Sequence, residues 1–336
     1  MKDLYNYCLP KALIAQQPAN PRDSARLLVY KISDGQITDS VFSEIDKFLH
    51  PNTTLVINNS KVEKCRWLFD NGKTEIFVLE KFDEHTVRAM VRPGRKFKIG
   101  SELKLTDWLS ASTVATNHEG VRTINLNVSH DDSRLRDYEH IPLPPYIEQD
   151  DSLADEYQTV FAKTSGSLAA PTAGLHFTEE LLEKLLLKHD LAELTLHVGL
   201  GTFAKLNEEN LSSGRLHAES FYISDENLKQ IAAANHITAV GTTSVRTLES
   251  AFDHNRSFSG STDIFIRPGY SFRKVNSMIT NFHLPLTSLL MLVAAFLADK
   301  KQMDEESAVA ELMRIYNHAI DKKYRFYSFG DAMLIV

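Results

Sequence analysis

Residues 191–198 alternate apolar and polar positions: Leu194, Leu196 and Val198 share one face, and Glu193, Thr195 and His197 share the other. That period of two predicts a strand. Just before it the period lengthens. Thr178 precedes Glu179 and Glu180, and Leu181, Leu182, Leu185 and Leu186 recur at helical spacing, so a helix capped by Thr178 is expected. Ser224-Asp225-Glu226 opens another helix, and residues 237–240 form a short apolar run of strand type. Further strands are expected at 262–266 and 277–282, helices at 286–298 and 305–320, and an extended segment at 324–336. Strands alternating with helices predict an α/β domain with a mostly parallel sheet.

Between residues 61 and 146 the pattern changes. Short β-rich runs at 75–79, 86–91, 103–105 and 121–128 are separated by the turn signals Asn71-Gly72, Pro93-Gly94 and His118-Glu119-Gly120, with no amphipathic helix among them. Such spacing predicts a small barrel or sandwich. Leu143-Pro144-Pro145-Tyr146 makes a stiff exit, because consecutive prolines favour extended backbone. The expected architecture is an α/β main domain, residues 1–60 plus 147–336, carrying an inserted small all-β, barrel-like domain at 61–146.

Composition limits the class. The 336 residues are 43% hydrophobic and 24% charged, an ordinary globular mixture with length for two cores. The longest apolar run, 284–298, is interrupted by Pro285, Thr287 and Ser288. It falls short of the roughly 20 residues a membrane span needs and reads as a buried helix. No apolar stretch of signal-peptide length opens the chain, and Cys8 and Cys65 are too far apart for a local metal motif. These features point to a reducing, cytoplasmic setting, no membrane and no zinc site. A net charge of −7 gives no general attraction to nucleic acid. One stretch departs from that balance: Arg88, Arg92, Arg95, Lys96 and Lys98 occur without an intervening acid. The plain reading is a solvated face, and the sharper one is a local phosphate contact.

Candidate chemistry gathers at the strand-to-helix junctions. Residues 166–178 are mostly small and carry Thr172, Ala173, Gly174 and His176 up to a helix start, where a ligand can approach backbone N–H groups. The alternative is a plain connecting loop. His197 stands near the end of the strand 191–198, and Gly199, Gly201 and Thr202 follow it in a Gly-x-Gly-x-x-Ala pattern. The polar stretch 205–214 supplies no apolar stripe for the helix that a dinucleotide fingerprint requires, so a nicotinamide site is rejected. Thr242, Thr243 and Arg246 run from a strand into a helix, as capping residues or as ligand contacts. Asn281 and His283 stand at another strand end, and Asp331 lies in the last element. In α/β sheets ligands bind beyond the carboxyl ends of strands, so several polar strand ends together suggest one composite site. No Gly-x-x-x-x-Gly-Lys-Ser/Thr loop, His-Glu-x-x-His pair or Gly-x-Ser-x-Gly elbow is present. The residues alone lead to an enzyme with a composite polar site.

Longer matches go further. Leu13-Ile14-Ala15-Gln16, Arg22-Asp23-Ser24-Ala25-Arg26, Pro144-Pro145-Tyr146-Ile147, Ala169-Ala170-Pro171-Thr172-Ala173-Gly174-Leu175-His176 and the segments 196–203, 241–250, 262–272, 280–296 and 324–335 occur in that order. Together they resemble the S-adenosylmethionine:tRNA ribosyltransferase-isomerase family of queuosine biosynthesis, over nearly the whole chain. The resemblance implies an α/β domain that binds S-adenosylmethionine, a smaller β-barrel domain and no metal. S-adenosylmethionine would be consumed as co-substrate rather than held as a cofactor. Its ribosyl part would pass to 7-aminomethyl-7-deazaguanine in tRNA, giving epoxyqueuosine with release of adenine and methionine. On that basis His176, His197, His283 and Asp331 are the catalytic candidates. Arg22, Arg26, Thr172, Ala173, Gly174, Gly199, Gly201, Thr202, Thr242, Thr243, Arg246 and Asn281 are substrate-binding candidates, and residues 88–98 supply the tRNA contacts of a chain acting as a monomer. A catalytically altered nucleoside- or RNA-binding protein on the same scaffold is the competing reading, and transfer to another acceptor is a third. Leu286 stands where the family commonly has a basic residue.

Overall fold

The computed structural model describes residues 2–199, 208–253 and 258–336. The chain divides into two compact units: Met1–Lys61, Pro144–Gln149 and Asp155–Val336 form one, and Val62–Leu143 with Asp150–Ala154 form the other.

The first unit is built on a nine-stranded sheet. Its centre is four parallel strands, in the order Asp190–Leu196, Thr54–Asn58, Ile237–Val240 and Ser277–Asn281. Ala332–Ile335 pairs antiparallel with Ser277–Asn281 and parallel with Arg26–Tyr30, and Ile37–Val41 ends that side antiparallel. Arg215–Tyr222 and Ser259–Ile264 extend the other side, also antiparallel. The sheet is therefore mixed, not mostly parallel as the alternation suggested. Two helices in succession separate Ser277–Asn281 from Ala332–Ile335. A pair returns the chain to the end it left, whereas a single crossover helix would deliver a parallel strand.

Six α-helices occur among the described residues: α1 (Glu179–Leu186), α2 (Glu208–Ser213), α3 (Asp225–Ala233), α4 (Thr242–Ala251), α5 (Ser288–Lys301) and α6 (Glu305–Asp321). Thr178, Ser224, Thr287 and Asp304 cap α1, α3, α5 and α6, each accepting a backbone N–H with its side chain. Helix α5 starts two residues later than the periodicity indicated, because Leu286 adopts a left-handed φ of 62° and Thr287 then caps a helix that begins at Ser288. It is enclosed over residues 290–298, as expected of the apolar run. Helix α2 forms where no helix was expected; none of its residues is buried, and Leu211 packs against the core while half-buried. The segment 324–336 is strand only over Ala332–Ile335, since Tyr327 turns the chain with a φ of 72°. No helix among the described residues is long and apolar enough to cross a membrane.

The second unit is a seven-stranded antiparallel sheet in the order Glu139–His140, Arg66–Phe69, Thr74–Lys81, Thr86–Arg92, Arg122–Leu126, Ser110–Thr116 and Glu102–Lys104. Thr74–Lys81 and Thr86–Arg92 bury alternate residues, so one face packs around Trp67, Phe69, Ile76, Val78, Val87, Ile124 and Leu126. Among the described residues no ladder joins its two edge strands, so the sheet is open rather than a closed barrel.

Candidate active site

The four central parallel strands end along one edge of the main sheet, at Asn58, Leu196, Val240 and Asn281. Because Ala332 is paired with Asn281, the turn before that last strand reaches the same edge. A cleft opens there, walled by residues 170–173, Val198, residues 241–243, residues 280–284, Thr287, Leu289, Tyr146, Tyr327 and Ser328. It holds about 690 Å³ of atom-free space, part of it open to solvent.

Helix α4 begins in the cleft wall. Gly241 is its N-terminal cap at a φ of 87°, a left-handed angle that favours glycine, and no side chain caps the first turn. The capping role considered for Thr242 and Thr243 is therefore not taken. The Thr243 hydroxyl is buried and has no hydrogen-bond partner among the described residues. Arg246, one turn on, is 4% exposed and forms an ion pair through Nη1 with the equally enclosed Glu219. Glu219 also accepts the Gly199 N–H at 2.8 Å. The Nε and Nη2 of Arg246 are buried and unpartnered among the described residues.

Across the cleft, Asn281 organises a polar chain. Its Nδ2 donates to the Tyr327 carbonyl at 3.1 Å and meets His176 Nε2 at 3.2 Å, while Thr172 Oγ1 donates to its Oδ1 at 3.3 Å. For the bond to His176 to form, Nε2 must be the unprotonated nitrogen. Burial, with a smaller contribution from the Arg325 charge, pushes the His176 pKa down to about 3. His283 has an edge on the cleft and pairs with Thr280 Oγ1 at 2.8 Å, and burial takes its pKa to about 3 as well. Both imidazoles are neutral near pH 7 because burial denies solvation to the charged form.

The sequence-selected residues thus separate into groups. Thr172, Ala173, Thr242, Thr243, Asn281 and His283 line the cleft, and His176 is reached through Asn281. His197 is not part of the lining. Its ring lies against Gly166, where a Cβ would come within 2.9 Å of Nδ1 and Cε1. Asp331 spends its carboxylate on the N–H groups of Arg26 and Arg325 at 3.1 and 2.7 Å and on the Arg325 guanidinium at 3.3 Å. Arg22 is bound to Glu156 and to the carbonyls of Gln158 and Asp155. Arg26 covers the Tyr324 ring at 3.7 Å and donates to the Lys322 carbonyl. Gly174 packs so closely that a Cβ would meet Phe161 Cζ at 2.6 Å. Gly201 and Thr202 lie outside the described residues.

Sequence reasoning missed Tyr146, Tyr327, Ser328, Thr280 and Glu219. Tyr146 and Tyr327 stack at 4.3 Å between centroids, and the Tyr146 hydroxyl hydrogen-bonds Ser328 at 2.7 Å, so one aromatic wall comes from two distant segments. Both tyrosines fell inside matched motifs, which was the available signal. Nothing marked Glu219, which sits mid-strand in a polar run. In the second unit, Arg88 pairs with Glu80, Arg92 with Glu75 and Lys96 with Asp70. Arg95 and Lys98 are exposed and make no ion pair among the described residues.

Comparison with known proteins adds the following. The family model for queuosine biosynthesis proteins matches residues 2–335. A protein of Solibacter usitatus named S-adenosylmethionine:tRNA ribosyltransferase-isomerase is 42% identical, over 99% of each chain. One of the same name from Thermotoga petrophila is 42% identical over 99% of this chain and 98% of its own. The crystal structure of S-adenosylmethionine tRNA ribosyltransferase from Thermotoga maritima is 35% identical, with a TM-score of 0.56, over 99% of this chain and all of that one.

Proposed function

The chain belongs to the family of queuosine biosynthesis proteins, and from that premise we propose that it moves and isomerises the ribosyl part of S-adenosylmethionine onto 7-aminomethyl-7-deazaguanine in tRNA. Epoxyqueuosine forms in the tRNA, and adenine and methionine leave. The observation that carries this reading is the full-length likeness to enzymes bearing that name, joined to a polar cleft at the strand ends of the same sheet. S-adenosylmethionine is consumed rather than retained.

The main unit binds S-adenosylmethionine in the cleft. Its sulfonium acidifies the neighbouring ribose C5′, so a base is needed there. Adenine leaves more readily when a group donates a hydrogen bond to it, and the tRNA aminomethyl nitrogen must be neutral to attack C1′. His283, which lines the cleft and stays neutral, is the candidate hydrogen-bonding partner of the reacting ribose. The Thr172–Asn281–His176 chain orients the substrate beside it. The Tyr146–Tyr327 wall offers an aromatic surface to the adenine. In the second unit Arg95 and Lys98 contact tRNA phosphates, with Arg88, Arg92 and Lys96 exchanging their carboxylate partners for phosphate.

The test is to mix the purified protein with S-adenosylmethionine and tRNA carrying 7-aminomethyl-7-deazaguanine and follow adenine and methionine by chromatography. Release of both, dependent on that tRNA, is expected. S-adenosylmethionine binding without release would favour a catalytically altered binding protein.

A further inference from the structure

Helix α4 differs from α1, α3, α5 and α6 in that no side chain caps its first turn, and that open turn lies in the cleft wall. Unpaired first-turn N–H groups and the helix dipole favour an anion. Two further observations point the same way. Thr243 lines the cleft, is 7% exposed, and has a buried hydroxyl with no partner among the described residues. Arg246 stands four residues after Thr242 and three after Thr243, hence on the same helix face, and side chains lean toward a helix N-terminus. Its Nε and Nη2 are buried and lack partners among the described residues, although buried donors are nearly always satisfied.

We propose that these groups form a carboxylate-binding subsite. It rests on the reading of the cleft as a site for S-adenosylmethionine, and it assigns that molecule's methionine carboxylate to Arg246, Thr243 and the first turn of α4. Nε and Nη2 make up one edge of the guanidinium, which matches the two oxygens of a carboxylate. Glu219 occupies the remaining face through Nη1 and ties the pair to Gly199, the residue next to Val198 of the cleft wall. The Arg246–Glu219 pair is close to neutral by itself, so the site suits an amino-acid end that brings its own ammonium with its carboxylate. A multiply charged phosphate would leave excess negative charge in the buried site. Glu219 is accordingly a positioning residue: it fixes the guanidinium with its free edge available.

Calorimetric titration of the full chain with S-adenosylmethionine and with its decarboxylated analogue tests this assignment. The parent protein is expected to bind S-adenosylmethionine at least about tenfold more tightly than the analogue, equivalent to about 1.4 kcal/mol. Thr243→Val and Arg246→Gln should each weaken S-adenosylmethionine by about tenfold or more and leave the analogue within about twofold. Thr243→Ser, which restores a hydroxyl, should recover most of the loss. If Arg246→Gln does not fold, the near-isosteric Thr243→Val decides the matter. Equal affinity of the parent for the two ligands would overturn the subsite while leaving the cleft reading in place, as would equal weakening of both ligands by the variants. Failure of the parent to bind either ligand would instead overturn the cleft reading itself.

Discussion

Glu249 and Arg246 stand three residues apart on α4, both are buried, and their surroundings differ completely. Glu249 accepts the Tyr270 hydroxyl at 3.1 Å and the backbone N–H groups of Arg273, Lys274 and Val275 at 2.9, 3.1 and 3.1 Å. Arg246 engages one nitrogen and leaves two without a partner among the described residues. A buried charge with all its hydrogen bonds made holds chain segments together, while one with donors left over lowers the stability of the empty fold. One helix therefore carries a staple and, a turn nearer the cleft, a group whose bonding is complete only with a ligand present. Asp331 belongs with Glu249 in this respect, and Thr243 with Arg246.

The contrast can be broken in several ways. The largest effect is expected at His283. His283→Ala should reduce adenine release by about 10²-fold or more, through lost positioning of the substrate, with the circular dichroism spectrum unchanged, and near-parental turnover would remove it from the mechanism. Glu249→Ala should cost about 3 kcal/mol in urea unfolding, because three backbone donors lose their acceptor; a loss under about 1 kcal/mol would mean that the staple contributes little. Acid should act through the neutral histidines. His176 and His283 are held near pKa 3 when folded but titrate near about 6.5 when unfolded. Between those values the unfolded chain binds more protons, so the stability they contribute is complete above about pH 6.5 and declines as the pH falls toward 3. Urea midpoints measured from pH 7.5 to 5 should drop accordingly, and replacing His176 by Phe should flatten the curve.

Smaller effects sharpen the comparison. Thr243→Val removes a buried hydroxyl that has no partner among the described residues, so it should raise stability by up to about 1 kcal/mol, opposite in sign to Glu249→Ala. A destabilisation of that size would show the hydroxyl to be satisfied in solution. Reversing charge at Arg95 and Lys98 should lower the steepness of log affinity for tRNA against log salt by about one for each phosphate no longer neutralised. An unchanged slope would return that stretch to a plain solvated face.

Much of the fold was legible where burial is one-sided. Thr178, Ser224 and the leucines of α1 announce their helices, and the second unit shows its period of two because one sheet face is wet. Thr54–Asn58 carried no such signal, since every residue in it is buried and both faces are covered. Strand direction was equally hidden: nothing local in Ala332–Ile335 says that a helix pair will bring it in antiparallel. Within the candidate site, small and hydroxyl residues at strand ends were readable as a class, and Thr172, Thr242, Thr243, Asn281 and His283 do meet in one cleft. What could not be read was which charged residues already have partners. Arg22, Arg26 and Asp331 look like Arg246 in a sequence, and only their neighbours in space distinguish them.

The place of Ala332–Ile335 between Ser277–Asn281 and Arg26–Tyr30 bears on how the protein is made. A strand encoded late joins two parts of the sheet encoded far apart, so the first strands to leave the ribosome wait, unpaired on that side, for one of the last. With synthesis at about 5–20 residues per second, that exposed edge persists for many seconds. Substitutions that weaken Ala332–Ile335 should consequently show first as loss of soluble yield, before any change in the activity of the molecules that do fold.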